Sequence, residues 1–219
     1  MISYEEIKKN EDIKTYIRKA DESLVALGFT EHSFAHVGNV AFNCKKILSI
    51  LGYDIRTQEL AQIAAYLHDI GNLVNRVDHS QSGAIIAFRI LDKMGMPAED
   101  VADIVTAIGN HDEGTGVAVN PIAAALIIAD KSDVRRTRVR NSDFSTFDIH
   151  DRVNYSVESS ALKISEDKKR VELELVVDAK ISAVMDYFEI FIGRMVMCRK
   201  AAESLGLGFT LTVNGQRLH

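Results

Sequence analysis

Cysteine is scarce: Cys44 and Cys198 are the only two in 219 residues, and both sit in apolar, helix-patterned stretches. That argues against a disulfide framework and for two buried thiols in a reducing compartment, with the cytoplasm fitting best. Positive charge is also short, with 26 Lys and Arg against 31 Asp and Glu for a net charge of -5. No overall basic field is left to hold a nucleic-acid polymer or an anionic membrane surface. No apolar run approaches the roughly 18 residues that span a bilayer, and the opening "MISYEEIKKNEDIK" is too polar and acidic for a signal peptide. A soluble protein is expected. Internal repeats and low-complexity segments are missing as well.

What is present is a chain that is 47% hydrophobic, enough for one full core of about 150 residues plus a smaller appendage. From Glu11 to Asp148 apolar residues recur at spacings of three and four, which predicts at least six helices. They run from Glu11 to Leu27, Ser33 to Leu51, Thr57 to His68, Ser80 to Met94, Ala98 to Asn110 and Pro121 to Lys131. Thr57 and Pro97 suit helix starts, and Gly28, Gly52 and Gly71 suit helix ends.

After Asp148 the pattern changes. "YSVESSALKIS" and "RVELELVVD" alternate apolar and polar residues around the polar "EDKK", the signature of a β-hairpin. A long helix from Ala179 to Gly206 and a closing strand in "LGFTLTVNGQRL" follow. The expected fold is mainly α: a helical domain over residues 1–150, then a small α+β subdomain over residues 151–219. The helix face Ile181, Val184, Met185, Phe188, Phe191, Ile192, Met195 and Val196 is richer than a hairpin needs. It is expected to pack on the helical domain, with any excess covered in a homodimer.

Chemistry concentrates at helix ends. His36, His68, Asp69, His79, His111 and Asp130 each lie near one or in an adjoining turn. Imidazole and carboxylate together suit iron, manganese, zinc or nickel. Helix ends let several side chains converge without burying unpaired backbone groups. "AAYLHDIGN" and "AALIIADKSD" each end a strongly apolar helix in a carboxylate, which is costly to bury uncompensated, and a cation is the economical compensation.

Three stretches, "HVGNVA" from His36, "LHDIGN" from Leu67 and "IIADKSD" from Ile127, resemble the motifs of the HD-domain superfamily of metal-dependent phosphohydrolases. The resemblance covers Ser33 to Arg136 and implies that His36, His68, Asp69 and Asp130 bind one metal. "DHSQSGAIIAFRIL" and "AIGNHDEGTG" are similar to segments of dinuclear members, which implies a second ion on His79 and His111 with Asp69 bridging. Two divalent ions are therefore expected, iron or manganese ahead of nickel, zinc or magnesium.

Departures bear on the substrate. Members that cleave cyclic dinucleotides usually carry Lys where this chain has Asn72, a double His where it has Asn110 and His111, and a following Gly-Tyr-Pro that is missing here. The anion-binding role is expected to rest on Asn72 and on "DKSDVRRTRVR", above all Lys131, Arg135 and Arg136, since arginine forks match phosphate oxygens. His32, one turn before His36, could reach the same site as an outer ligand or hydrogen-bond partner, but an exposed helix residue is the leading expectation.

Two cations sharing a water would generate hydroxide as the nucleophile, with His68 and Asp69 at the centre. Asp112, Glu113 and Asp133 are the acidic neighbours able to protonate a leaving group. The leading reading is hydrolysis of a phosphate ester or phosphoanhydride in a small nucleotide or phosphorylated metabolite. A mixed-valence di-iron oxygenase of the same superfamily shares the six ligand types. A non-catalytic metal or nucleotide sensor is the third reading, and the complete ligand set argues against it.

Overall fold

The computed structural model describes residues 1–218. Seven helices come first: α1 (Tyr4–Lys9), α2 (Glu11–Ala26), α3 (Phe34–Leu51), α4 (Ile55–Leu67), α5 (His79–Lys93), α6 (Ala98–Gly109) and α7 (Pro121–Lys131). Most of their starts are fixed by short polar side chains that accept the first free backbone N–H groups, α5 and α6 excepted. Asn10 caps α2, Ser33 caps α3, Asp54 caps α4 and Asn120 caps α7. Thr57 is therefore not the entry to α4: it lies inside the first turn and donates its N–H to Asp54.

The remainder is α8 (Ile149–Ser156), β1 (Val157–Ile164), β2 (Arg170–Val177), α9 (Val184–Ser204), β3 (Gly208–Val213) and β4 (Gln216–Arg217). The sheet order is β1-β2-β3-β4. β1 and β2 form the expected antiparallel hairpin, but β3 pairs with β2 in parallel, Leu173 facing Leu211. A parallel partner needs a long crossover, and α9 supplies it. Asn214 and Gly215, both at positive φ, then turn the chain into β4. The mainly α fold with a small α+β unit is as the sequence indicates. Two details differ: Tyr155 and Ser156 end α8 instead of opening a strand, and α9 begins at Val184, not Ala179. Among the described residues no helix is long and apolar enough to cross a membrane.

Apolar residues form two clusters. The larger gathers the inner faces of α1 to α7, with the wholly apolar Ile122–Ala129 stretch of α7 at its centre. The smaller lies between the sheet and α9 and holds Leu173, Leu175, Tyr187, Phe191 and Met195. α9 serves both, because Met197, Ala201 and Ala202 join the larger cluster. The inward face of α9 is thus shifted from the stripe read in the sequence: Tyr187 and Cys198 are buried, whereas Met185 and Ile192 are exposed. Cys44 and Cys198 are buried and unpaired.

Gly71 does not close α4. It sits in the 3-10 turn Ile70–Leu73, pressed against the start of α5: a Cβ there would lie 1.9 Å from the His79 carbonyl oxygen and 2.5 Å from the Gly83 nitrogen. Only glycine lets this turn approach α5 so closely. Gly38 is the opposite case, a helix-interior glycine with open space around it. Urea denaturation should therefore show Gly71→Ala losing about 3 kcal/mol or more from backbone overpacking, and Gly38→Ala gaining up to about 1 kcal/mol from reduced chain entropy.

Candidate metal centre

Five helix ends deliver six side chains to one interior point. His36 lies in the first turn of α3, His68 caps the end of α4 and Asp69 follows it. His79 opens α5, His111 follows α6 and Asp130 stands one residue before the end of α7. All four imidazoles are at most 3% exposed and Asp69 is 6% exposed. The sequence-predicted ligand set is thus brought together in full.

Each imidazole is oriented through Nδ1. His68 donates to the Ala65 carbonyl at 2.7 Å, His79 to the Arg76 carbonyl at 3.1 Å and His111 to the Ile108 carbonyl at 2.6 Å. His36 donates to Asp133 Oδ2 at 2.7 Å. Carbonyl and carboxylate oxygens only accept, so Nδ1 carries a proton and each Nε2 faces inward, with a lone pair for a metal once any second proton has left. Around His36 and His68 the inner atoms lie close: His36 Nε2 is 3.6 Å from Asp69 Oδ2 and 3.3 Å from Asp130 Oδ1. For His68 Nε2 the same oxygens lie at 3.2 and 3.6 Å. Ligands bound at about 2.0–2.2 Å to one ion lie roughly 3 Å apart, so the spacing fits a shared cation.

The hydrogen-bond inventory makes the same demand. His36 Nε2, His68 Nε2 and Asp69 Oδ2 are buried without a hydrogen-bond partner, a cost that the interior accepts only when something satisfies them. His36, His68 and Asp130 form one group able to hold a metal, and His68, Asp69 and His111 another. Asp69 faces both sides. Its Oδ2 looks toward His36 and His68, while Oδ1 is 3.5 Å from His79 Nε2, which itself lies 3.2 Å from His111 Nε2.

Electrostatics follow from the packing. Burial depresses the His68 imidazolium, but Asp69 and Asp130 outweigh it and push the group up to about 10. Farther from the carboxylates, burial dominates and takes His111 down to about 3. Burial also opposes ionisation of Asp69 and Asp130, yet His68 beside Asp69 and Lys131 beside Asp130 hold both well below the usual carboxylate range. The pocket calls for positive charge at its centre, and in the metal-free protein a proton supplies it.

Around the six stand residues with supporting geometry. Asn72 is not turned to the cavity for a substrate: its amide donates to Asp69 O at 2.9 Å and to Asp69 Oδ1 at 3.1 Å. Asp133, a proton-donor candidate in the sequence, instead anchors His36 and accepts from Asn39 at 2.7 Å. Asp112 Oδ1 lies 3.9 Å from His79 Nε2, and though burial raises it, His79 and Lys131 hold it below the carboxylate range. Glu113 Oε1 is 2.7 Å from Arg194 Nε and 3.7 Å from Lys131 Nζ, the position of a counter-ion.

A cavity of about 330 Å³ opens onto the centre. Lys131 lines it, 2.9 Å from Asp130, but Arg135 and Arg136 do not. Arg135 is spent on Glu31 and Asp133, each at 3.1 Å, and Arg136 is held away from the cavity by the Tyr155 carbonyl at 2.6 Å and the Tyr155 ring at 4.7 Å. The cationic lining comes instead from Arg76, Arg138 and Arg194 beside Lys131. Arg76 lies three residues before His79, a spacing that could have drawn attention to it; Arg194, on α9, carries no local signal. His32 is also corrected: it precedes α3, packs edge-on to His36 at 5.5 Å between ring centroids and lines the cavity.

Metal uptake should expel a proton. Below about pH 10 a candidate metal must displace the one on His68, so apparent affinity should rise with pH across the neutral range, by up to about tenfold per unit for one proton. Titration calorimetry with Mn²⁺ in two buffers of different ionisation enthalpy should give release of about one proton at His68; none would contradict the ligand assignment.

Comparison with known proteins places these features in a family. Residues 33–189 match the HD domain. The chain is 27% identical over 197 residues to the uncharacterized protein MJ1020 of Methanocaldococcus jannaschii, spanning 79% of this chain and 75% of that one. The crystal structure of a predicted HD superfamily hydrolase from an uncultured Thermotogales bacterium is 30% identical and has a TM-score of 0.44. The match covers 57% of this chain and 67% of that one. With buried His and Asp clusters able to hold divalent metal and a domain match over most of its length, the chain belongs to the HD-domain family, generally metal-dependent phosphohydrolases.

Proposed function

We propose that the protein hydrolyses a phosphate ester or phosphoanhydride of a small molecule, using two divalent metal ions. The observation that supports this most is the pairing of a buried His and Asp cluster with a cavity lined by Arg76, Lys131, Arg138 and Arg194 in a chain of net charge -5. His36, His68, Asp69 and Asp130 would hold one ion, and His79, His111 and the other oxygen of Asp69 the second. Bound there, the ions would activate water and offset the charge developing on phosphoryl oxygens.

The protein's own groups do the positioning. Asn72 clamps the Asp69 carboxylate, and Asp133 fixes the His36 ring, so neither ligand has to be reordered when substrate arrives. Arg76 Nη1 lies 4.0 Å from Asp69 Oδ1 and 3.3 Å from His79 Nε2, which sets a guanidinium at the mouth of the second site. There it can hold a phosphoryl oxygen by charge-assisted hydrogen bonds. Lys131, fixed by Asp130, offers a second cation to the same cavity. The cavity size suits a mononucleotide or a phosphorylated metabolite, at the lower end of small-molecule pockets.

The same ligand types would serve a di-iron oxygenase. The cationic lining favours hydrolysis, because oxygen and an uncharged substrate have no use for four cations. Phosphate release across a panel of nucleotides and phosphorylated metabolites, run beside oxygen consumption by the iron-loaded protein, separates the two. Release without oxygen uptake is expected, and the reverse would sink the proposal. Arg76→Met should keep its metal and lose about 10- to 100-fold in kcat/KM, the worth of a charge-assisted hydrogen bond of about 1.5–3 kcal/mol. Arg135→Met should leave kcat/KM within about threefold, since Arg135 does not line the cavity and Asp133 keeps its bonds to His36 and Asn39.

A further inference from the structure

Two arginines in the cavity are left with bonding capacity that neither the metal ligands nor Arg76 explains. Arg138 is 4% exposed. Its Nε donates to the Glu31 carbonyl at 2.9 Å and Nη1 to the Asp133 carbonyl at 2.7 Å. These contacts lock the guanidinium plane, yet both acceptors are neutral. The nearest carboxylate, Asp133, is 3.9 Å away and already serves His36, Asn39 and Arg135. Among the described residues Nη2 makes no hydrogen bond, and the residue lines the cavity.

Arg194 reaches the same cavity from α9. Its guanidinium stacks on the Phe191 ring at 4.3 Å. Glu113 stands 2.7 Å from Nε, but the geometry is not that of a hydrogen bond, and Nε is buried without a partner. Glu113 is shared with Lys131 besides. Arg138 and Arg194 are close enough for their charges to repel, a repulsion that adds to burial in lowering Arg138. Two guanidiniums lining one cavity, one immobilised by neutral acceptors and the other paired only with the Glu113 carboxylate, form a fork with capacity for a further anion.

We infer that Arg138 and Arg194 form a second anion subsite, which takes an anionic group of the substrate other than the one cleaved. It rests on the hydrolase reading and narrows it to substrates with two anionic groups close together, such as a diphosphate or a bisphosphorylated metabolite. Asp148 and Asp151 of the α8 region also line the cavity and would repel an anion, which confines the second group to the arginine side. Glu113, on a partly exposed loop position, fills part of the charge demand and yields when the substrate anion enters. The subsite also gives the C-terminal unit a role in recognition, since α9 supplies Arg194.

The test uses manganese-loaded full-length protein and phosphonate probes that are not hydrolysed. Calorimetry should show methylenediphosphonate binding at least tenfold more tightly than methylphosphonate. Arg194→Met should lose at least tenfold for the diphosphonate and at most threefold for the monophosphonate, and Arg194→Lys should recover part of the loss. Phosphonoacetate asks whether the second group is a carboxylate: a loss with it as large as with the diphosphonate widens the subsite to carboxylates, and a smaller loss restricts it to phosphates. Equal losses for both phosphonates, or none, would overturn the subsite. Phosphate release by the wild-type protein is scored separately: turnover without a diphosphonate preference sinks the subsite alone, and the preference without turnover sinks the hydrolase reading alone.

Discussion

The structure turns on one electrostatic constraint: four buried imidazoles and two carboxylates converge on one interior point, and the protein's own donors, Asn72, Arg76 and Lys131, reach only part of them. Burial makes such a set expensive, and the protein relieves it only in part. His36 Nε2, His68 Nε2 and Asp69 Oδ2 are left without partners. Every surrounding contact works in the same direction. The four Nδ1 atoms are tied to carbonyls or to Asp133, so no ring can turn its lone pair away. Asn72 prevents Asp69 from swinging outward.

The fold exists around that constraint. Helix ends are the places where side chains can meet without burying broken backbone ladders, and the bundle brings five of them to one point. The close approach at Gly71 draws the turn after Asp69 onto the start of α5, so that His79 arrives opposite Asp69. α7, apolar along its buried length, delivers Asp130 and Lys131 as a pair at its end. The small sheet contributes no candidate ligand. It supports α9, which packs into both apolar clusters and so fixes Arg194 relative to the metal ligands.

Much of this was legible in the sequence, for physical reasons. The long helices declared themselves through apolar periodicity, and α7, for instance, begins and ends where Pro121 and Lys131 put it. The six ligand candidates stood out because acids and imidazoles at the ends of apolar helices lack any cheap alternative explanation as a set. What escaped is what depends on distant chain segments. The parallel pairing of β3 with β2 cannot be read from strand patterns, which are the same for either direction. The basic run after Asp130 pointed to Arg135 and Arg136 by proximity, but Glu31 and the Tyr155 carbonyl, far away in the chain, claim both. Arg138 of the same run does line the cavity, and Arg76 and Arg194 join it because the fold, not the spacing, decides which cations see the cavity.

The central claim is that the converging lone pairs are metal ligands, with Asp69 shared between two ions. Metal stoichiometry per chain, measured by mass spectrometry on anaerobically purified protein and on a folded Asp69→Asn variant, tests it most directly. The account requires two divalent ions per chain in the wild type and one or none in the variant. A wild-type protein without metal after incubation with Mn²⁺ or Fe²⁺, or a variant that retains both ions, would contradict it.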